Sequence, residues 1–265
     1  MKAVAVYPGK EDSAHIRDVP APEPGPGEVL VKLIRVGLDG TDSEINSALY
    51  GWAPKGEDYL ILGHETFGRV QAVGKGVDGL KPGEGVVATV RRDCHWNCIN
   101  CENEENDNCL TGDYLERGIK ERHGMLAEFY VDDPRFIVPI PEEHSEVAVL
   151  LEPLTIAEKG IFQTFEVQKR MAWEPKTALV LGIGPLGILC AMLLRDMEIE
   201  TFAVGRGPLD PVRRTFLETM GVNYITTRET PLVEIPKKLG CQVDFVIEAT
   251  GSSQVSFDAM QVIGI

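Results

Sequence analysis

The chain has 265 residues, 43% of them hydrophobic and 25% charged, which allows two domains with cores of their own and excludes a stapled miniature scaffold or a disordered chain. A net charge of −15 excludes nucleic acid as a partner, because that binding rests on phosphate neutralisation by Lys and Arg, and it fits an enzyme of the cytoplasm, including a saline one. The opening "MKAVAVYPGKEDS" turns polar too soon for a signal peptide, and the uncharged run from Thr177 to Leu194 is broken by "GIGPLG", so no membrane segment is expected.

In chain order, "AVAVY", "EVLVKLIRVGL", "GRVQAVG" and "GVVATV" read as Val-rich, roughly alternating strands separated by turn-prone stretches such as "PEPGPGE" and "GKGVDGLKPGE". "MLAEFYVDDPRFIVPIP" adds two more, and short strands at this spacing predict a small barrel or sandwich over about residues 1–150. From Glu142 the period changes to helical in "EEHSEVAVLLEPLTIAEKGIFQTFEV". Beyond it strands "TALVLG", "ETFAVG", "NYIT" and "VDFVIEAT" alternate with helices "PLGILCAMLLRDM", "PVRRTFLETMG", "LVEIPKKL" and "SQVSFDAMQ". That alternation predicts an α/β second domain, 151–265, with a doubly wound parallel sheet. The chain stops at "VIGI", where a further strand would begin, so the sequence reads as a fragment of a longer protein.

The segment Gly182, Ile183, Gly184, Pro185, Leu186, Gly187 carries GxGxxG between a strand and a helix, the dinucleotide-binding arrangement: a tight turn, close approach to a pyrophosphate, and amides at a helix N-terminus facing the phosphates. An acid at the end of the next strand would select NAD. Arg206 stands there instead, with Arg213 and Arg214 nearby, which favours the 2′-phosphate of NADP, NAD remaining possible.

Four of the six cysteines, Cys94, Cys98, Cys101 and Cys109, fall in one polar stretch with spacings x3, x2 and x7. One closed Zn–S4 site would order a lobe (residues 92–122) that apolar burial cannot; an Fe–S cluster or redox-active thiols are the rivals. Cys190 and Cys241 stand in apolar contexts and read as core residues. Asp39, His64 and Glu152, with Thr41 beside the first and Glu65 beside the second, could supply oxygen and nitrogen donors to a catalytic zinc with one open position.

Taken together, "GHETFGRVQAVGKGV", the cysteine lobe, "EP" before a long helix and "GIGPLG" resemble the zinc-containing medium-chain alcohol dehydrogenases over the whole 265 residues. "YLERGIKERHG" and "LLEPLTIAEKG" look like the archaeal glucose 1-dehydrogenases. The resemblance implies a GroES-like β-barrel catalytic domain followed by an incomplete Rossmann domain, and oxidation of an aldose C1 hydroxyl with NADP or NAD. It implies dimers or tetramers, and a family length roughly ninety residues greater, so that this chain alone would lack part of the nicotinamide site that turnover requires. It further implies that Asp39 stands where most relatives carry a ligating cysteine, as in the halophilic members, and that His64 is the histidine ligand. Glu65 becomes a ligand or its neighbour, and Glu152 replaces the cysteine of alcohol-oxidising relatives. Thr41 would relay the substrate proton and Glu116 would hold a sugar hydroxyl. The lobe departs from the family in having three residues between its first two cysteines where two are usual. A polyol, threonine or simple-alcohol dehydrogenase is the alternative activity, and a non-catalytic zinc- and nucleotide-binding protein the alternative from another class.

Overall fold

The computed structural model describes residues 1–263, and the chain divides into two compact units, 1–152 and 153–265. The first is β-rich. Its strands are β1 (Lys2–Val6), β2 (His15–Asp18), β3 (Val29–Gly37), β4 (Leu60–Ile61), β5 (Glu65–Val73), β6 (Gly85–Ala88), β7 (Arg91–Arg92), β8 (Leu115–Arg117), β9 (Glu121–Arg122), β10 (Phe129–Asp132) and β11 (Ile137–Ile140). Helices α1 (Gly40–Asn46) and α2 (Ile99–Glu102) interrupt them. The main sheet runs β10-β3-β5-β6-β11, antiparallel throughout, with smaller sheets β2-β1-β4 and β7-β8-β9. Alternation in the Val-rich strands sends Val29, Val31, Val70 and Val86 into one core with Met125, Tyr130 and Ile137.

The second unit carries the parallel sheet β14-β13-β12-β15, from β12 (Thr177–Leu181), β13 (Glu200–Gly205), β14 (Asn223–Thr226) and β15 (Phe245–Glu248). All five residues of β12 are buried, as a central parallel strand requires: Ala178 and Val180 join one core, Leu179 and Leu181 the other. The accompanying helices are α3 (Leu151–Gln168), α4 (Pro185–Asp196), α5 (Pro211–Thr219), α6 (Ile235–Leu239) and α7 (Ser253–Ala259). Among the described residues no helix is long and apolar enough to cross a membrane.

Two expectations need correction. The helical period from Glu142 resolves into two 3-10 turns, 142–144 and 148–150, and the α-helix begins only at Leu151. Ala148, Val149 and Leu151 pack on Phe67 and Val87, so tertiary contact overrides the local period there. Cys190 is buried, and its burial pushes the thiol up to about 11, but Cys241 is exposed just after Gly240, the left-handed residue that ends α6. Of "VIGI", Ile263 forms an isolated parallel bridge with Val243, and residues 264 and 265 lie outside the described residues.

One polar group sits deep in the first unit. Asp132 closes β10 fully buried and is met by Arg92, by Arg117 Nε at 2.7 Å and by Arg122 Nη2 at 3.3 Å. Burial alone would raise its pKa; the fields of Arg117 and Arg92 and the Arg117 hydrogen bond hold it below the usual carboxylate range. Burial, with Asp132 opposing Arg117 and Arg122, brings Arg92 down to about 10. Asp132→Asn is therefore expected to cost about 3–5 kcal/mol in urea unfolding, because three guanidinium groups lose their anion. The stability from Asp132 is fully present above the unfolded carboxylate value of about 4 and is lost as pH falls through the lower folded value. An unfolding midpoint unchanged by Asp132→Asn would contradict this.

Candidate active site

Asp39 is the N-cap of α1. Its Oδ1 accepts from the amides of Thr41 at 2.9 Å and Asp42 at 3.2 Å, and its Oδ2 from Thr41 Oγ1 at 3.0 Å. A carboxylate has about four lone-pair positions, so these three donors leave one, on Oδ2. Asp42 completes a capping box by accepting from the Asp39 amide at 3.2 Å, and its other oxygen lies 3.4 Å from the Gly63 amide. One buried carboxylate thus joins the start of α1 to the segment that carries His64. Asp42 was not singled out from the sequence, although D-x-x-D before an apolar position is a capping signal.

His64 Nε2 lies 3.6 Å from Asp39 Oδ1, and its Nδ1 is buried without a hydrogen bond. Glu65 opens β5 opposite Gly37 of β3, and a Cβ on Gly37 would stand 1.9 Å from Glu65 Oε2. The missing side chain of Gly37 is the cradle of that carboxylate. Asp39, His64 and Glu65 offer one donor atom each within 4.8 Å of one another. Tetrahedral O and N donors at about 2.0–2.2 Å from zinc stand roughly 3.4 Å apart, so the spacing, the orphaned imidazole nitrogen and the O/N/O donor set fit a zinc ion. Glu152 is outside that trio. It sits in the first turn of α3, pinned beside β5 through Leu151 and Ala148, and its charge is felt at both His64 and Glu65.

Burial pulls the His64 imidazole toward neutrality, but the adjacent Asp39 carboxylate with the fields of Asp42 and Glu152 outweighs it and raises the pKa to about 9. Burial, then the fields of Glu152 and its other acidic neighbours, raises Glu65 to about 7, and burial raises Asp42 and Glu152. Glu116, buried in β8, contributes to the field at Glu152 and accepts from Arg91 at 2.7 Å.

The four lobe sulfurs also lie within 4.8 Å of one another, with Cys98 and Cys109 at 4.0 Å. Sulfurs about 2.3 Å from a shared zinc would be about 3.8 Å apart. The amides of Cys98 and Leu110 point at Cys94 Sγ (3.3 Å) and Cys98 Sγ (3.5 Å), as donors to thiolates do. With Thr111 donating, Cys109 is pulled down to about 6.

In the second unit Gly182 has φ +101°, open to glycine, and a Cβ on Gly187 would meet Gly182 O at 2.0 Å. Gly184 N-caps α4 without a side-chain bond and Pro185 follows, which leaves first-turn amides of α4 for a phosphate. Ile183 packs against the core beneath, and Leu186 is partly exposed. Arg206 is exposed just past β13, Arg214 is exposed on α5, and Arg213 is in part held by Asp210 at 3.4 Å. Sequence reading missed Arg228, whose guanidinium carbon is 3.9 Å from the place of a Cβ on Gly207. The signal was an Arg just past "NYIT", next to the loop that follows β13.

The alcohol dehydrogenase GroES-like domain family matches residues 25–142 and the glucose dehydrogenase C-terminus family residues 145–265. A glucose 1-dehydrogenase of Methanocella arvoryzae is 46% identical over 98% of this chain and 72% of its own length. One of Thermoproteus tenax is 43% identical over 98% of this chain and 72% of its own length. Among solved structures, Haloferax mediterranei glucose dehydrogenase in complex with NADP, zinc and gluconolactone superposes with a TM-score of 0.88 at 35% identity, covering 100% of this chain and 74% of that one.

Gly37→Ala is expected to displace the Glu65 carboxylate and lower zinc from about two per chain to about one, with the fold intact. Cys98→Ser should also remove about one zinc, but should open the lobe to proteolysis between residues 94 and 109, which Gly37→Ala should not. Elemental analysis with limited digestion distinguishes them, and two zincs retained in Gly37→Ala would contradict the site.

Proposed function

The chain belongs to the glucose dehydrogenase branch of the zinc-containing medium-chain dehydrogenases, and from that membership we propose that it oxidises the C1 hydroxyl of an aldose, D-glucose foremost, to the lactone with NADP as hydride acceptor. The observation that carries this reading is the meeting of Asp39, His64 and Glu65 beside two further carboxylates, Glu152 and Glu116, in a single β-rich unit. Carboxylates beyond the zinc trio suit a hydroxyl-rich substrate, whose several O–H groups need acceptors.

Asp39, His64 and Glu65, with Glu152 beside them, would hold a zinc ion, and the chemistry it would supply there is that of a Lewis acid lowering the pKa of the C1 hydroxyl. Thr41 Oγ1 donates to Asp39 Oδ2 at 3.0 Å and keeps lone pairs of its own, so it can accept the substrate proton as it releases its own. Glu116 is buried, and a carboxylate there accepts a sugar hydroxyl on the oxygen that Arg91 does not hold; a substrate lacking that hydroxyl would forgo that hydrogen bond in a site shielded from water. In the second unit the Gly182–Gly187 turn with the N-terminus of α4 holds the pyrophosphate, and Arg206, with Arg213, Arg214 and Arg228 around it, offers a guanidinium to the 2′-phosphate. NAD can use the same turn without that charge.

Four cysteines gathered within 4.8 Å of one another for a metal, in a chain this acidic, support a reducing cytoplasm as its setting. Family habit supports assembly into dimers or tetramers.

An aldose, polyol and alcohol panel with NADP tests the reading: glucose-dependent NADPH formation is expected, with Glu116→Gln raising the glucose KM roughly 10- to 100-fold, the worth of one charge-assisted hydrogen bond. Oxidation of a polyol or simple alcohol with no aldose accepted would overturn it.

A further inference from the structure

Arg91 opens β7 directly opposite Glu116 of β8. Its Nε and Nη2 both donate to Glu116 Oε1, at 3.0 and 2.7 Å, and its Nη1 donates to the Asp107 carbonyl at 3.1 Å. The guanidinium lies 3.9 Å from the centre of the Tyr114 ring. With 24% of the Arg91 side chain and 11% of the Glu116 side chain exposed, little water competes for these contacts.

Both hydrogen bonds fall on Oε1, which leaves Oε2 to accept from something else. A carboxylate gripped on one oxygen by two nitrogens of a planar fork cannot turn without losing both, so the direction of Oε2 is set. Arg91 is itself held from two further sides, by the ring of Tyr114 and by a carbonyl that lies between Cys101 and Cys109 in the lobe. The order of the cysteine lobe therefore reaches the substrate carboxylate through one side chain.

We propose that Arg91 is a positioning residue for the sugar: it fixes Glu116 so that Oε2 is aimed at a substrate hydroxyl before the sugar arrives. This rests on the reading of Glu116 as the acceptor of that hydroxyl. The gain lies in pre-organisation, which shows in KM and in discrimination among deoxy sugars more than in kcat.

The test is a kinetic double-mutant cycle on the zinc-loaded enzyme with glucose and NADP. Arg91→Lys keeps the charge and removes the fork; it should raise the glucose KM about tenfold with kcat within about twofold, and zinc content and thermal midpoint unchanged. In a Glu116→Gln background the same change should alter KM by less than about twofold, because the partner through which it acts is gone. Tyr114→Leu, which removes only the stacking face, should raise KM in the same direction by about threefold. If Glu116→Gln raises KM but Arg91→Lys does not, or if the two effects multiply in the double variant, the positioning role is overturned while the reading of Glu116 stands. If Glu116→Gln leaves KM unchanged, that reading fails and takes the proposal with it. A parallel fall in kcat, zinc content and thermal midpoint in Arg91→Lys would mark Arg91 as a structural tie, against the proposal.

Discussion

Four carboxylates, those of Asp39, Asp42, Glu65 and Glu152, crowd the buried imidazole of His64, and much of the first unit is arranged around that crowding. Burial first, and then the like charges of neighbouring acids, oppose ionisation here, so Glu65 rises to about 7 and Asp42 and Glu152 rise as well. A divalent cation removes the conflict, because its charge lets neighbouring acids ionise and coordinate at once. The local structure accepts costs for this. Gly37 gives up a side chain so that Glu65 can turn inward, and Asp39 serves α1 as a cap while keeping one lone pair free. A set so arranged makes poor sense as a core and good sense as a site.

Charge is handled differently a short distance along the same strands. The buried cluster of Asp132 with Arg92, Arg117 and Arg122 ties β7, β8, β9 and β10 together, so Glu116 of β8 stands on a stiff frame. The lobe between β7 and β8 has almost no core, Cys94 and Cys101 being its chief buried side chains, and its four sulfurs lie close enough together to share one ion that would order it. Arg91 joins these regions, with Glu116 on one side and the lobe carbonyl on the other.

The features legible in the sequence are those whose chemistry needs contiguous spacing. The glycine turn, the cysteine lobe and the alternating strands of both units could be read because each is a local pattern. Asp39, His64 and Glu152 are far apart in the chain; their donor types suggest a zinc site, and the resemblance to known dehydrogenases adds the role expected of each. The structure adds what no local pattern contains: Asp42 joining α1 to the His64 segment, Gly37 opposite Glu65, Arg92 on an aspartate forty positions away, and Arg228 beside Gly207. These are single charges or small residues whose partners are set by strand register. The misjudged start of α3 and the exposure of Cys241 have the same origin, since packing on Phe67 and the left-handed end of α6 decide them.

On this reading one chain holds a sulfur-only zinc and an oxygen- and nitrogen-only zinc. Zinc K-edge X-ray absorption on the purified protein, with metal content measured on the same sample, tests it most directly. Two sites predict about two zincs per chain, a sulfur shell near ~2.3 Å averaging about two sulfurs per zinc, and an oxygen/nitrogen shell near ~2.0–2.1 Å. About one zinc per chain with four sulfurs and no lighter shell would contradict the account, because Asp39, His64 and Glu65 would then hold no metal.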